Sequence, residues 1–276
     1  MNALLKTQTV GFIGAGNMTH AIIKGLLSGS EISAHQIWIS NRTPGKLKKL
    51  NDLYSVQVAA SNEELIEKCN IIVLAVKPAD LSAVLQSTAQ FFTPDKVVIS
   101  IAAGFTLDAL EKNLPIARIV RVMPNTPSLI GEGLIGILTE GTEEIILDIA
   151  EDLFSTLGKI IFVKDEDHLE ALTVACSSGT GFIFEFMLYW NEWLEQHGFN
   201  KIEAAEMTRK TFLGAALLAE QSLDSTIEDL QTRVTSKKGV TLAGLESMRE
   251  LEIERALRIS FEKAAMRNRE LARDLK

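Results

Sequence analysis

The sequence predicts an α/β protein in two parts. Residues 1–163 should form a doubly wound, mostly parallel sheet, and residues 164–276 an all-helical region. Three observations carry this: short Val- and Ile-rich runs alternate with helical patterns, a glycine-rich turn joins the first run to the first helical pattern, and strand signals stop after Val163.

The strand candidates are "TVGFIG" (9–14), "QIWIS" (36–40), "IIVLAV" (71–76), "KVVISIA" (96–102) and "ARIVRVM" (117–123). Nearly continuous apolar character marks strands covered on both faces, as in a parallel sheet. Helical stretches of about ten residues separate most of them, the spacing of β–α–β crossovers. "GLIGIL" (133–138) and "KIIFV" (159–163) flank a helical stretch from Glu143 to Phe154 and extend the sheet. The second part opens with "LEALTVACSSGTGFIFEFMLYWNEWLEQHG", in which Phe182 to Trp190 are apolar almost without break. A helix apolar on all sides is buried in a core or between subunits. Residues 201–221 and 242–275 give two further helical regions. So few helices have trouble covering such a surface alone. A helical dimer is the economical solution, and a compact monomeric bundle the alternative.

Composition narrows the class. The chain has 276 residues, 46% hydrophobic and 23% charged, in the range of globular proteins. Its net charge of −8 disfavours a nucleic-acid partner, whose phosphates need clustered Lys and Arg. It leaves room for a small anionic ligand in a local pocket. Two distant cysteines, Cys69 and Cys176, offer no disulfide framework, and four scattered histidines without an HExxH pair predict no metal site. The opening "MNALLKTQTVGF" lacks the apolar core of a signal peptide, and no run of about 18 apolar residues occurs. The expectation is a cytoplasmic protein with no membrane span.

"TVGFIGAGNMTHAIIKGLL" contains Gly14-Ala15-Gly16-Asn17-Met18-Thr19, a GxGxxT pattern between a strand and a helix. In that context Gly14 permits a tight turn, Gly16 lets the backbone approach a pyrophosphate, and the helix from Asn17 presents N–H groups to phosphates. An Asp or Glu after the second strand would bind the ribose hydroxyl of NAD. This chain has Ser40, Asn41 and Arg42 there, and Arg42 offers a charged fork for a 2′-phosphate. NADPH is therefore the expected cofactor, with NADH as the alternative. "LAVKPADL" (74–81) places Lys77 at another strand end, to meet a phosphate, lie near the nicotinamide or stand in solvent. In "VMPNTPSLIGEG", Pro124 and Pro127 stiffen a loop whose Asn125 and Thr126 suit a carboxamide or a substrate.

"TSKKGVTLAGLESM" (235–248) runs a polar stretch into a helix. The backbone N–H groups of Gly239, Val240 and Thr241 suit a small carboxylate, and the Thr241 hydroxyl is either a helix cap or a substrate contact. Lys237 and Lys238 stand beside it, as attractors of an anion or as solvated loop lysines.

"GFIGAGNM", "AVKP", "VMPNTP" and the "TSKKGVTLAGLESM" stretch, in that order, resemble the pyrroline-5-carboxylate reductase family over almost the full length. The resemblance implies a Rossmann-type doubly wound mostly parallel sheet followed by an all-helical dimerisation domain, with interlocked dimers that assemble further into decamers. It implies NADPH- or NADH-dependent reduction of a cyclic imine, 1-pyrroline-5-carboxylate, to L-proline, the last step of proline biosynthesis. The cofactor falls on Gly14, Ala15, Gly16, Asn17, Met18, Ser40, Asn41, Arg42, Asn62, Ala75, Lys77, Pro78 and Pro124. The carboxylate-bearing substrate falls on Gly239, Val240, Thr241, Asn125 and Ser178, with Thr241 the residue in contact with the reacting nitrogen. Two stretches differ from the family pattern. "CSSGTGF" (176–182) keeps only Ser178 and Gly179 of a Ser-Gly-Ser-Gly-Pro-Ala-Tyr run. "SKKGVT" (236–241) keeps Ser236, Gly239 and Thr241 of Ser-Pro-Gly-Gly-Thr-Thr. A relative acting on another cyclic imine or small carbonyl acid, or a non-catalytic dinucleotide-binding regulator, are the other functions these residues allow.

Overall fold

The computed structural model describes residues 3–29 and 32–274. Among them eight strands form one sheet: β1 (Val10–Ile13), β2 (Ile37–Ser40), β3 (Gln57–Val58), β4 (Ile71–Leu74), β5 (Val97–Ser100), β6 (Arg118–Met123), β7 (Gly133–Leu138) and β8 (Gly158–Val163). Their order is β3-β2-β1-β4-β5-β6-β7-β8. Neighbours are parallel throughout, save the antiparallel β6–β7 pair. The connecting helices are α1 (Asn17–Ser28), α2 (Pro44–Tyr54), α3 (Asn62–Lys68), α4 (Pro78–Thr88), α5 (Leu107–Asn113) and α6 (Glu144–Phe154).

The apolar runs became strands because both of their faces are covered. In β1 and β4, Val10, Phe12, Ile71 and Val73 join a core cluster on one face, with Ile22 and Ile23 of α1 and Phe154 of α6. Ile13, Ile72 and Leu74 join the cluster on the other face, with Leu65 of α3 and Leu81 of α4. That alternation is the period of two of a strand. Each such side chain contributes about 1.5–3 kcal/mol by leaving water. β3 escaped the sequence reading because it is a two-residue edge strand with no apolar run and a half-exposed face.

Beyond β8 come α7 (Glu166–Leu172), a π-type turn (Thr173–Ser178), α8 (Gly179–Gln196), α9 (Lys201–Gln221), α10 (Ile227–Arg233), α11 (Val240–Glu250) and α12 (Ile253–Asp274). α10 was not foreseen. The helical pattern over 242–275 divides in two, because Glu252 adopts a left-handed φ of 51° between α11 and α12.

The chain forms two compact units, Met1–Thr180 with Ala264–Lys276, and Gly181–Lys263. The expected break at 163/164 differs from this division for a physical reason. Leu169 and Leu172 of α7 are buried in the same core cluster as Leu138 and Val163. They press on Gly136, where a Cβ would stand 2.9 Å from either leucine. The end of α12 returns to this unit. Glu170 accepts from Arg269 Nε (2.8 Å) and from Asn268 Nδ2 (3.3 Å), and Gly104, at φ 71°, leaves room for Leu271.

The second unit has little core of its own. Among its described side chains only Leu194, Ala204 and Thr208 are fully buried. Ring contacts join Trp190 to Phe212 and Phe182 to Phe261. Phe184, Leu188, Trp193, Leu213 and Leu218 remain more than half exposed. Contrary to expectation, the helical segment Glu166–Gln196 is long and apolar enough to cross a membrane by length and composition alone. Its first turns, however, belong to the core of the sheet unit.

Candidate active site

The first unit carries a cleft of about 560 Å³ at the C-terminal ends of β1, β2 and β4. In doubly wound sheets ligands bind at this edge, where the strand order reverses. Here that reversal falls between β1 and β4, since the chain passes from β1 outward to β2 and β3 and then returns.

Two glycines shape the cleft in different ways. Gly14 has φ 115°, and a Cβ there would lie 2.4 Å from the Ala75 carbonyl oxygen, so the turn after β1 requires glycine. Gly16 has an ordinary extended φ of −90° and is the N-cap of α1. A Cβ on Gly16 would meet no protein atom within 4 Å. The space beside it is open, as a backbone meant to touch a ligand demands. Thr19 holds the position of the third glycine, and its buried hydroxyl donates to the Gly14 carbonyl (2.7 Å), bracing the turn from within. Asn41 Oδ1 accepts from the Ala15 amide (3.3 Å). Ser40 Oγ donates to Asn62 Oδ1 (2.7 Å), tying the end of β2 to the start of α3.

Nine of the expected cofactor residues line this cleft: Gly14, Ala15, Gly16, Ser40, Asn41, Arg42, Asn62, Ala75 and Lys77. Asn17 and Met18 begin α1, where Met18 packs against the core. Pro78 starts α4 directly after Lys77. Pro124 is buried, with its carbonyl accepting from Ser177 Oγ (3.3 Å). The sequence reading missed Lys46 of α2 and Asp80 of α4, which also line the cleft. Asp80 Oδ1 pairs with Arg42 Nη2 at 3.0 Å. Asp80 belongs to no local motif, since only the fold brings it beside Arg42, whereas Lys46 follows Arg42 closely in the first turn of α2.

The substrate-side residues behave differently. Asn125 is buried and its amide is already engaged: Oδ1 accepts from the Leu134 amide (2.9 Å) and Nδ2 donates to the Cys176 carbonyl (3.3 Å). It braces the loop after β6 against the π-type turn. Ser178 is exposed at the end of that turn. In the second unit, Gly239 caps α11 and its amide donates to the Ser236 carbonyl (2.9 Å), so it is not available to a carboxylate as expected. The amides of Val240, Thr241 and Leu242 have no acceptor among the described residues. The same holds for the Thr241 hydroxyl, which is not the helix cap. Lys238 adopts φ 60°, a conformation that favours glycine.

A separate depression of the same unit, lined by Arg121 and Glu166, holds a buried charge. Arg121 on β6 is 5% exposed and pairs with Glu166 of α7, whose other oxygen accepts from the Leu107 amide (2.7 Å). Burial lowers the Arg121 pKa, and Glu166 acts against that shift. The pair locks α7 and the start of α5 onto the sheet.

A glycine turn opening onto a free cleft, cations at the end of β2 and no carboxylate on that strand fit a phosphorylated dinucleotide. Together with the doubly wound sheet they define an NAD(P)H-dependent oxidoreductase. Residues 9–104 match the family described as NADP oxidoreductase, coenzyme F420-dependent, and residues 166–271 match pyrroline-5-carboxylate reductase dimerisation. The chain is 33% identical to a pyrroline-5-carboxylate reductase of Pseudomonas aeruginosa, over 98% of its own length and 99% of the relative's. It also resembles the solved structure of a pyrroline-5-carboxylate reductase from Coxiella burnetii, with TM-score 0.86 and 31% identity over 96% of this chain and 99% of that one. The Plasmodium falciparum pyrroline carboxylate reductase, solved with NADP bound, shares the fold at TM-score 0.85 and 24% identity, over 97% of this chain and 99% of that one. The chain belongs to the pyrroline-5-carboxylate reductase family.

Proposed function

We propose that this chain reduces 1-pyrroline-5-carboxylate to L-proline with NADPH, the last step of proline biosynthesis. The observation that carries the reading is the cleft: an open glycine turn faced by Arg42 and Lys46, in a chain of this family. Bound NADPH supplies a hydride to the imine carbon. One proton at the ring nitrogen completes the amine, so the protein's work is chiefly binding and orientation, which can lower a barrier by about 7–11 kcal/mol at best.

The residues divide that work. The α1 amides and Gly16 receive the pyrophosphate, Arg42 and Lys46 the 2′-phosphate, and Asn62 the adenosine ribose. Lys77, Pro78 and Pro124 stand along the cofactor. The Val240, Thr241 and Leu242 amides at the start of α11 hold the substrate carboxylate, helped by the helix dipole. The Thr241 hydroxyl holds the ring nitrogen. Asn125 and Ser178 shape the wall around the substrate, Asn125 by bracing its loop. The sparse core of the second unit supports a homodimer that covers its apolar helices. Assembly into decamers and a cytoplasmic location complete the proposal.

Two experiments test it. Expression in a proline auxotroph should restore growth, and failure of a well-expressed protein would count against the function. Thr241→Ala should lower kcat about tenfold, the worth of one hydrogen bond to a charged centre. It should leave the NADP+ Kd unchanged, and unaltered kcat would clear Thr241 of its role. Lys237 and Lys238 favour a second reading, a different carboxylate-bearing cyclic imine as substrate. A six-membered imine homologue turned over faster than the five-membered one would support that reading.

A further inference from the structure

We propose that Asp80 sets the cofactor preference of the cleft by holding Arg42 in an ion pair that a 2′-phosphate must displace. This rests on the dinucleotide reading of the cleft given above. Asp80 sits in the first turn of α4, where a negative charge is favoured by the helix dipole, and its amide donates to the Lys77 carbonyl (2.9 Å). Its side chain is 31% exposed, whereas that of Arg42 is 84% exposed. The carboxylate is therefore the fixed partner and the arginine the mobile one. The arm of Arg42 reaches from the end of β2 to Asp80 at 3.0 Å, and both residues line the same cleft.

A 2′-phosphate has the same need as Asp80: a cationic fork with several donors. Binding of NADPH thus exchanges one anion for another on Arg42, and the net gain is reduced by the pair that is broken. NADH brings no phosphate, leaves the pair intact and loses nothing. Asp80 therefore weakens NADPH alone and narrows the preference that Arg42 creates. An exposed pair of this kind changes affinity by at most about fivefold. Because Asp80 acts through Arg42, it is a positioning residue, and its effect should vanish without the arginine.

Isothermal titration of NADP+ and NAD+ into the full-length chain tests this. Asp80→Asn keeps the shape and removes the charge, and should tighten NADP+ about threefold to fivefold while moving NAD+ by less than about twofold. In Arg42→Ala, which should weaken NADP+, adding Asp80→Asn should change nothing further. An unchanged or weaker NADP+ affinity in Asp80→Asn, equal tightening of NAD+, or a gain that persists in the Arg42→Ala background would each overturn the proposal. If the unmodified chain binds neither dinucleotide, the reading of the cleft itself fails, a result separate from any of these.

Discussion

Gly14 and Gly16 lie two residues apart in one turn, yet the structure gives them opposite sensitivities. Alanine at Gly16 adds a Cβ to open space, at a φ that any residue adopts. Two small terms then compete. A less flexible unfolded chain contributes about 0.4–1 kcal/mol of stability, and a poorer N-cap costs about as much. The net change in folding stability is under about 1 kcal/mol, a Tm shift of at most about 4 °C. The same methyl group stands where the pyrophosphate must touch the backbone, so the NADP+ Kd should rise at least tenfold, about 1.4 kcal/mol. Alanine at Gly14 is forced into φ 115° with its Cβ 2.4 Å from the Ala75 oxygen. Its cost is about 1–3 kcal/mol of strain or a shifted turn. Thermal unfolding and NADP+ titration of both variants separate the two roles. A Gly16→Ala protein that binds NADP+ normally, or that loses as much stability as Gly14→Ala, would refute this reasoning.

Three other outcomes follow from the same geometry. Glu166→Gln leaves the Arg121 charge uncompensated while keeping an acceptor for the Leu107 amide; it should cost about 3 kcal/mol in urea unfolding at fixed protein concentration, and a change below about 1 would mean that the pair carries little stability. Asn125→Ala unpairs the Leu134 amide and the Cys176 carbonyl, and should lower stability by about 1–3 kcal/mol without altering NADP+ affinity, as titration would show. Burial pushes the Cys69 thiol up from its ordinary 9.0 to about 12, against the opposing pull of Lys96. A folded pKa raised in this way gives stability that is present in full below about pH 9 and lost as the pH rises toward about 12. In a Cys176→Ser background, Cys69 should therefore resist a thiol reagent at pH 8 until urea unfolds the chain, and rapid labelling of the native protein would contradict its burial.

The sheet was legible because its strands are buried on both faces, so Val, Ile and Phe cluster in runs that few helices imitate. β3 was not, since Gln57 and Val58 are held by backbone pairing to β2 rather than by an apolar pattern. The cofactor turn could be read because its chemistry is local: Gly14 and Gly16 are neighbours in the chain. Asp80 meets Arg42 only through the fold, and no local pattern marks it. No local pattern marks Glu166, because its partner Arg121 lies 45 positions away. Asn125 reads from its stiff loop as a ligand contact, and its bracing role inside the protein had no local signal, since its partners Leu134 and Cys176 are set by the fold. Lys238 adopts a left-handed φ of 60° at a position where the family pattern places a glycine.

The central claim is turnover. Purified protein given NADPH and 1-pyrroline-5-carboxylate should oxidise the cofactor and release L-proline in equal amounts, with a markedly slower rate when NADH replaces NADPH at subsaturating concentration. A protein that binds NADP+ in the cleft but neither consumes NADPH nor forms proline would contradict the account.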